Sequence, residues 1–95
     1  MIRLTAGSVA RGHDADIQQE LRRRLPDLPP EAVEAYVGRR VLGANVEIAL
    51  VTSWSTAPAG VALDEPLWPS ISDRYDTFRI GVYDILIEGA GAGGG

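Results

Sequence analysis

The fold is decided by residues 37–55, which read VGRRVLGANVEIALVTSWS. Within this stretch, Gly43 and Asn45 are the residue types that a tight turn between two strands requires. After the turn, side chains alternate regularly, and one face of the predicted strand is formed by Val46, Ile48, Leu50, Thr52 and Trp54. The opposite face is also apolar at its centre. This strand therefore needs a packed layer on each side of the sheet.

The segment before the turn fits two interpretations. Pro30 followed by Glu31 is typical of a helix start. The apolar alternation of residues 33–41 fits a strand instead, with Gly38 as a bulge or as a point where another group approaches the backbone. We predict a strand here, paired with the strand after the turn.

The opening residues MIRLTAGSVA predict a first strand. Their alternation puts Ile2, Leu4 and Ala6 on one face, which we expect to meet a core. Arg3 and Thr5 fall on the other face.

Residues 13–25 predict a helix with Asp14 as its N-cap. Ile17, Leu21 and Leu25 recur at every fourth position and form its apolar stripe. The acidic residues come early and the arginines late, which complements the helix dipole. We interpret the arginine run at 22–24 as a solvated helix face, because an anion site is the less common use of such a run.

The third quarter of the chain predicts a connection with at most short helices, near residues 57–63 and 68–75. Pro58, Pro66 and Pro69 exclude one long helix.

The last strand is predicted from residue 77 onwards and becomes apolar on both faces at residues 85–87. The element order is then βαββαβ, which predicts an α+β, ferredoxin-like domain with an antiparallel sheet. The domain is expected to span residues 1–88, and residues 89–95 to form a flexible Gly/Ala tail. One sheet face would remain bare and carry Ala49, Val51 and Ile85, so we expect a homodimer.

Composition excludes several classes of function. The formal net charge is −4 and the pI is near 4.8, so nucleic acid is not expected as a partner. There is no cysteine, which excludes disulfides and thiolate chemistry. No stretch is long and apolar enough to cross a bilayer, and no signal-peptide pattern is present, so we expect a cytoplasmic protein without membrane contact.

The hairpin ending in VTSWS, the prolines in DEPLWPSISD and the strand FRIGVYDIL carry a family resemblance. The chain resembles the antibiotic biosynthesis monooxygenase-like (ABM) proteins of the dimeric α+β barrel superfamily over roughly residues 1–88. The resemblance implies a homodimer whose two sheets form a barrel, with a cavity in each subunit between sheet and helices. Some members oxidise polycyclic phenols or quinols with molecular oxygen and without a cofactor.

The resemblance also suggests a binding site for a planar aromatic ligand. Its predicted residues are Trp54, Trp68, Tyr36, Arg39, Arg79 and Tyr83. Arg39 and Arg40 are adjacent on a strand, so at most one of them enters a cavity. The sequence assigns no catalytic residue, because Leu50 and Thr52 stand on the strand face where such enzymes have an asparagine before the tryptophan.

No cofactor or metal is expected. Haem-degrading relatives use a histidine on the second helix, whereas the only histidine here is His13, at the start of the first helix, where we expect an exposed capping residue. Neither metal-ligand spacing nor a glycine-rich phosphate loop is present.

Two functions remain open. One is a cofactor-independent monooxygenase acting on a small quinol- or phenol-type substrate. The other is a non-catalytic, small-ligand-binding or stress-related homodimer of the same fold. An interaction module is a third, less favoured class. A cavity exposing Trp54 beside a polar group favours the first function, and one filled by Leu50, Trp54 and Trp68 favours the second.

Overall fold

The structure, a computed structural model, describes residues 1–57, 60 and 62–89. The elements are β1 (Ile2–Ala10), α1 (Asp14–Arg24), β2 (Ala32–Leu42), β3 (Asn45–Trp54), α2 (Pro69–Ser72) and β4 (Thr77–Tyr83). A short 3₁₀ turn, Leu25–Asp27, follows α1. The strands form one antiparallel sheet in the order β2-β3-β1-β4. This α+β domain is compatible with the predicted ferredoxin-like fold.

The ambiguous segment is a strand, as predicted. β2 pairs with β3 along its whole length, from Ala32 opposite Trp54 to Leu42 opposite Asn45. The turn between them uses Gly43 at φ +62°, a conformation that glycine adopts without strain. The prediction for Gly38 is wrong, because the register is regular there and no atom lies within 4 Å of where its Cβ would be. The irregularity falls between Ala32 and Glu34 instead.

The core lies between the sheet and the helices. Its buried cluster comprises Val9, Ile17, Leu21, Val46, Ile48, Leu50 and Ile71. We call the sheet face that contributes to this cluster the helix face; on β3 it consists of the alternating set that the sequence predicted. The other side is the open face, and it carries Leu4, Ala6, Tyr36, Leu42, Ala49, Val51 and Tyr83.

β1 has the opposite orientation to the one expected. Arg3 and Thr5 are buried on the helix face, opposite Thr52 and Leu50 of β3. Ile2, Leu4 and Ala6 therefore lie on the open face. The alternation was correct, but it could not decide which face meets the helices, since both faces of this central strand are covered to some degree.

The prediction of Asp14 as the N-cap is wrong, because the first helix begins one residue earlier than expected. His13 is the N-cap, without a capping bond from its side chain, and Asp14 is the first helical residue. The Asp14 carboxylate still accepts a hydrogen bond from the Gly12 backbone N–H at 3.2 Å, and it also bonds to Gln18 and Arg39. The side chain is thus held by two local partners and by Arg39 of β2.

The C-terminal part is less regular than predicted. β4 ends at Tyr83, and the apolar residues that follow it have no strand partner among the described residues; Leu86 and Ile87 are 91% and 90% exposed. α2 is a single turn, Pro69–Ser72, and is shorter than the predicted 68–75; Pro69 sets its start. Residues 58, 59 and 61 of the helix predicted near 57–63, and residues 90–95 of the Gly/Ala tail, fall outside the described residues. No helix in the described part is long and apolar enough to cross a membrane.

Candidate functional site

A crevice opens between the helix face of the sheet and the segment that carries α2. Its walls include Arg3 and Thr5 from β1, Trp68 just before α2, Tyr75 between α2 and β4, and Phe78 in β4. The space inside is about 20 Å³, enough for one water molecule. It combines aromatic walls with a charged group, since Arg3 is the one ionised side chain among its described lining residues.

Arg3 is the unusual residue of this crevice, because it is only 2% exposed in the middle of a sheet. Its Nε donates to the Leu63 carbonyl at 2.7 Å, and its Nη2 donates to the Glu65 carbonyl at 2.9 Å. No carboxylate lies within 4.0 Å of it in the described part of the chain. Burial lowers the pKa of the Arg3 guanidinium from its ordinary value, yet arginine stays protonated in proteins. The crevice therefore holds a positive charge with no acidic side chain to balance it.

Tyr75 also lines the crevice and is fixed by close packing. Its ring stacks on Phe78 with 5.6 Å between centroids. The ring also covers the backbone of Gly7, where any Cβ would overlap it. Burial raises the pKa of Tyr75 to about 12, so the phenol is neutral at physiological pH. An anion in the crevice would not meet a competing negative charge on this side.

Trp54 has a structural environment. It is 2% exposed, and its Nε1 donates to the Thr52 hydroxyl at 2.7 Å. Its backbone N–H donates to the Met1 carbonyl at 2.8 Å, which ties the end of β3 to the start of the chain. Its indole N–H is therefore already paired, and Trp54 is not one of the crevice walls.

The other predicted site residues are spread over both sides of the sheet. Tyr36 (63% exposed), Arg79 and Tyr83 project from the open face. Arg39 lies on the helix side, where its Nε binds the Asp14 carboxylate at 3.0 Å and holds the pKa of that carboxyl below its usual value. Of the predicted set, only Trp68 lines the crevice.

Sequence reasoning missed Arg3, Tyr75 and Phe78. For Arg3 a signal existed, because it stands between two apolar residues, Ile2 and Leu4, in a predicted strand. A charge at such a position lies either on a solvated face of the sheet or buried beside hydrogen-bond acceptors. The alternation alone favours the solvated face. Tyr75 gave no comparable signal, because only the pairing of β1 with β4 brings it over Gly7.

A metal centre has no support in this region. Among residues 1–57, 60 and 62–89, no three His, Asp or Glu side chains are grouped closely enough to hold an ion.

No protein-family model, no curated protein and no solved structure matches this chain. The resemblance to the ABM proteins therefore stays a prediction.

Proposed function

We propose that the protein is a homodimer that binds a small aromatic ligand in the crevice between the sheet and α2, without transforming it. The observation that carries this proposal is the wall of Trp68, Tyr75 and Phe78 around a buried guanidinium. Aromatic walls with a few polar groups are typical of small-molecule sites. Leu50 and Trp68 line the space, whereas Trp54 is not among its described lining residues and has its indole N–H paired with Thr52, which favours binding over the monooxygenase function.

Ligand entry requires a movement. Space for one water does not admit an aromatic ring, so Trp68 and the segment before α2 must shift outward. This segment is tied to the sheet by the two Arg3 bonds to the carbonyls of Leu63 and Glu65. α2 itself is one turn long, and helices this short gain little stability from their own hydrogen bonds. The segment is thus the part of the wall whose displacement requires the least free energy.

The dimer proposal rests on the open face. Leu4, Ala49 and Val51 form a half-buried apolar centre there, and Tyr36 and Tyr83 stand exposed at its edges. Monomeric proteins rarely present contiguous apolar surface of this kind. A second copy of the sheet would cover it, and the exposed apolar residues after β4 would add to the buried area. A stable pair of this type buries roughly 1,500 Å² in total.

The two tryptophans make the binding site testable by fluorescence. A ligand in the crevice should change the emission of Trp68 and leave that of Trp54 nearly constant. With a panel of anthrones, quinols and flavonoids, we therefore expect the signal to persist in Trp54→Phe and to disappear in Trp68→Phe. A signal lost in Trp54→Phe and kept in Trp68→Phe would place the ligand at Trp54 and contradict the crevice.

Cofactor-independent oxidation is the second candidate, favoured by the Arg3 guanidinium on the crevice wall. A buried guanidinium stabilises the oxyanion of a phenol or enol, and that anion is the form that gives an electron to oxygen. An anthrone would be converted to a quinone, with one oxygen atom entering the product and the other leaving as water. Oxygen consumption without added flavin or metal should then accompany binding. Binding with no oxygen consumption supports the non-catalytic function.

A further inference from the structure

We propose that the crevice selects aromatic anions, and that Arg3 receives the ligand's carboxylate or phenolate oxygen. This inference rests on the proposed function, because it uses the same crevice, but it adds the charge of the ligand and the residue that recognises it. Arg3 is not one of the residues that the sequence predicted for binding.

The first argument is the hydrogen-bonding capacity of Arg3. A guanidinium has five N–H groups. Two of them bind the carbonyls of Leu63 and Glu65, and the others have no acceptor among the described residues. Backbone carbonyls satisfy donors but carry no full charge. An oxyanion would supply the missing acceptors and the missing negative charge together, often through two parallel bonds.

The second argument compares the ion pairing of Arg3 with that of the other arginines. Arg23, Arg39 and Arg40 are paired with Glu20, Asp14 and Glu47, although all three guanidinium groups are substantially exposed. Arg11, Arg22, Arg24, Arg74 and Arg79 have no ion pair among the described residues, but none of them is fully buried. Arg3 is the arginine that is buried, so an ionic partner matters most for it, and it too has no carboxylate partner there. Removing a charge from water without a counter-charge is costly, so this arrangement is explained best by a partner that is not part of the chain.

The third argument is the neutrality of the surrounding walls. The crevice contains no Asp or Glu side chain among its described lining residues. Thr5 already donates its hydroxyl to the Leu50 carbonyl, and Tyr75 is a neutral phenol in contact with Phe78. The protein as a whole is acidic, but among the described lining residues an anion inside this crevice meets one positive charge and otherwise uncharged side chains.

The test compares benzoate with benzamide, which has nearly the same shape and no charge. Titration calorimetry on the full chain should give a benzoate dissociation constant at least about tenfold lower, the difference expected for a charge-assisted hydrogen bond. Arg3→Gln should abolish this preference. Arg79→Gln removes the same charge from the open face and should keep it.

A second measurement avoids the variant, because Arg3→Gln also disturbs the bonds to residues 63 and 65. In the ¹⁵N–¹H spectrum of the unmodified protein, benzoate should shift the Arg3 Nε–H resonance, and benzamide should not. If benzamide or the neutral members of the aromatic panel bind as tightly as benzoate, the charge selection is overturned and the proposed function stands. If neither benzoate nor any member of the panel binds, both are overturned.

Discussion

Gly7 lies in β1 and Gly38 in β2 of the same sheet. They differ in which atoms lie near the position that a side chain would occupy. A Cβ built on Gly7 would lie 2.3 Å from two ring atoms of Tyr75, whereas one built on Gly38 would have no atom within 4 Å. Alanine at either position removes the entropic disadvantage of glycine in a strand, about 0.5–1 kcal/mol. Only Gly7→Ala also forces an aromatic ring from its packed position, which costs about 1–3 kcal/mol.

The two substitutions should therefore change stability in opposite directions. Gly7→Ala should lower the free energy of unfolding by about 1–2 kcal/mol, and Gly38→Ala should raise it by about 0.5–1 kcal/mol. In a domain of this size, each kcal/mol shifts the melting temperature by about 4–8 °C. Thermal and urea unfolding followed by circular dichroism, at one fixed protein concentration, measures both effects.

A double-variant cycle isolates the ring as the cause. In a Tyr75→Ala background the obstacle is absent, so Gly7→Ala should become neutral or stabilising, like Gly38→Ala. If Gly7→Ala costs the same stability with and without the ring, or if it stabilises the unmodified protein, then Tyr75 does not pack on Gly7 and the crevice wall described above is incorrect.

Three further predictions concern charge and assembly. The pKa of Asp14 is lowered mainly by its hydrogen bond from Arg39. The ionised Asp14 therefore stabilises the fold above about pH 3.8, and this stabilisation is lost as the pH falls through the lower folded-state pKa. The melting temperatures of the unmodified protein and of Asp14→Asn should converge on acidification. The pKa of Tyr75 is raised from 10.0 to about 12, so stability should fall as the pH rises through that interval, and Tyr75→Phe should remove this loss in urea titrations at each pH. In sedimentation experiments the unmodified protein should have about twice the chain mass of 10.2 kDa. Val51→Asp should be monomeric or unfolded, because it would bury a charge without a partner. A monomeric unmodified protein would contradict the dimer.

The hairpin could be predicted because local chemistry determines it. Gly43 permits the turn, and the alternation in β3 extends over enough residues to fix which side chains share a face. The pairing of the Trp54 indole with Thr52 could also have been predicted, because residues two apart on a strand share a face. That spacing indicates that the indole N–H is paired within its own strand, whereas the family resemblance predicted a pocket residue.

The crevice could not be predicted, because its walls come from distant parts of the chain. Arg3 and Phe78 lie on adjacent strands only through the pairing of β1 with β4, which no local pattern encodes. The orientation of β1 is a related case. Its polar side chains point inward because Arg3 finds two backbone carbonyls in the segment above it, and those acceptors belong to a connection without regular structure.

The crevice and the proposed dimer surface lie on opposite faces of the sheet, because successive residues of a strand point to opposite sides. Arg3 and Thr5 face the crevice, and their neighbour Leu4 faces the open side. Dimer formation should then leave the ligand site unchanged. If Val51→Asp gives a folded monomer, its affinity for benzoate should stay within about twofold of that of the dimer, since neither wall of the crevice has moved. A monomer that is folded by circular dichroism but has lost benzoate binding would mean that the second copy completes the site, and the assignment of binding to one chain would have to be abandoned.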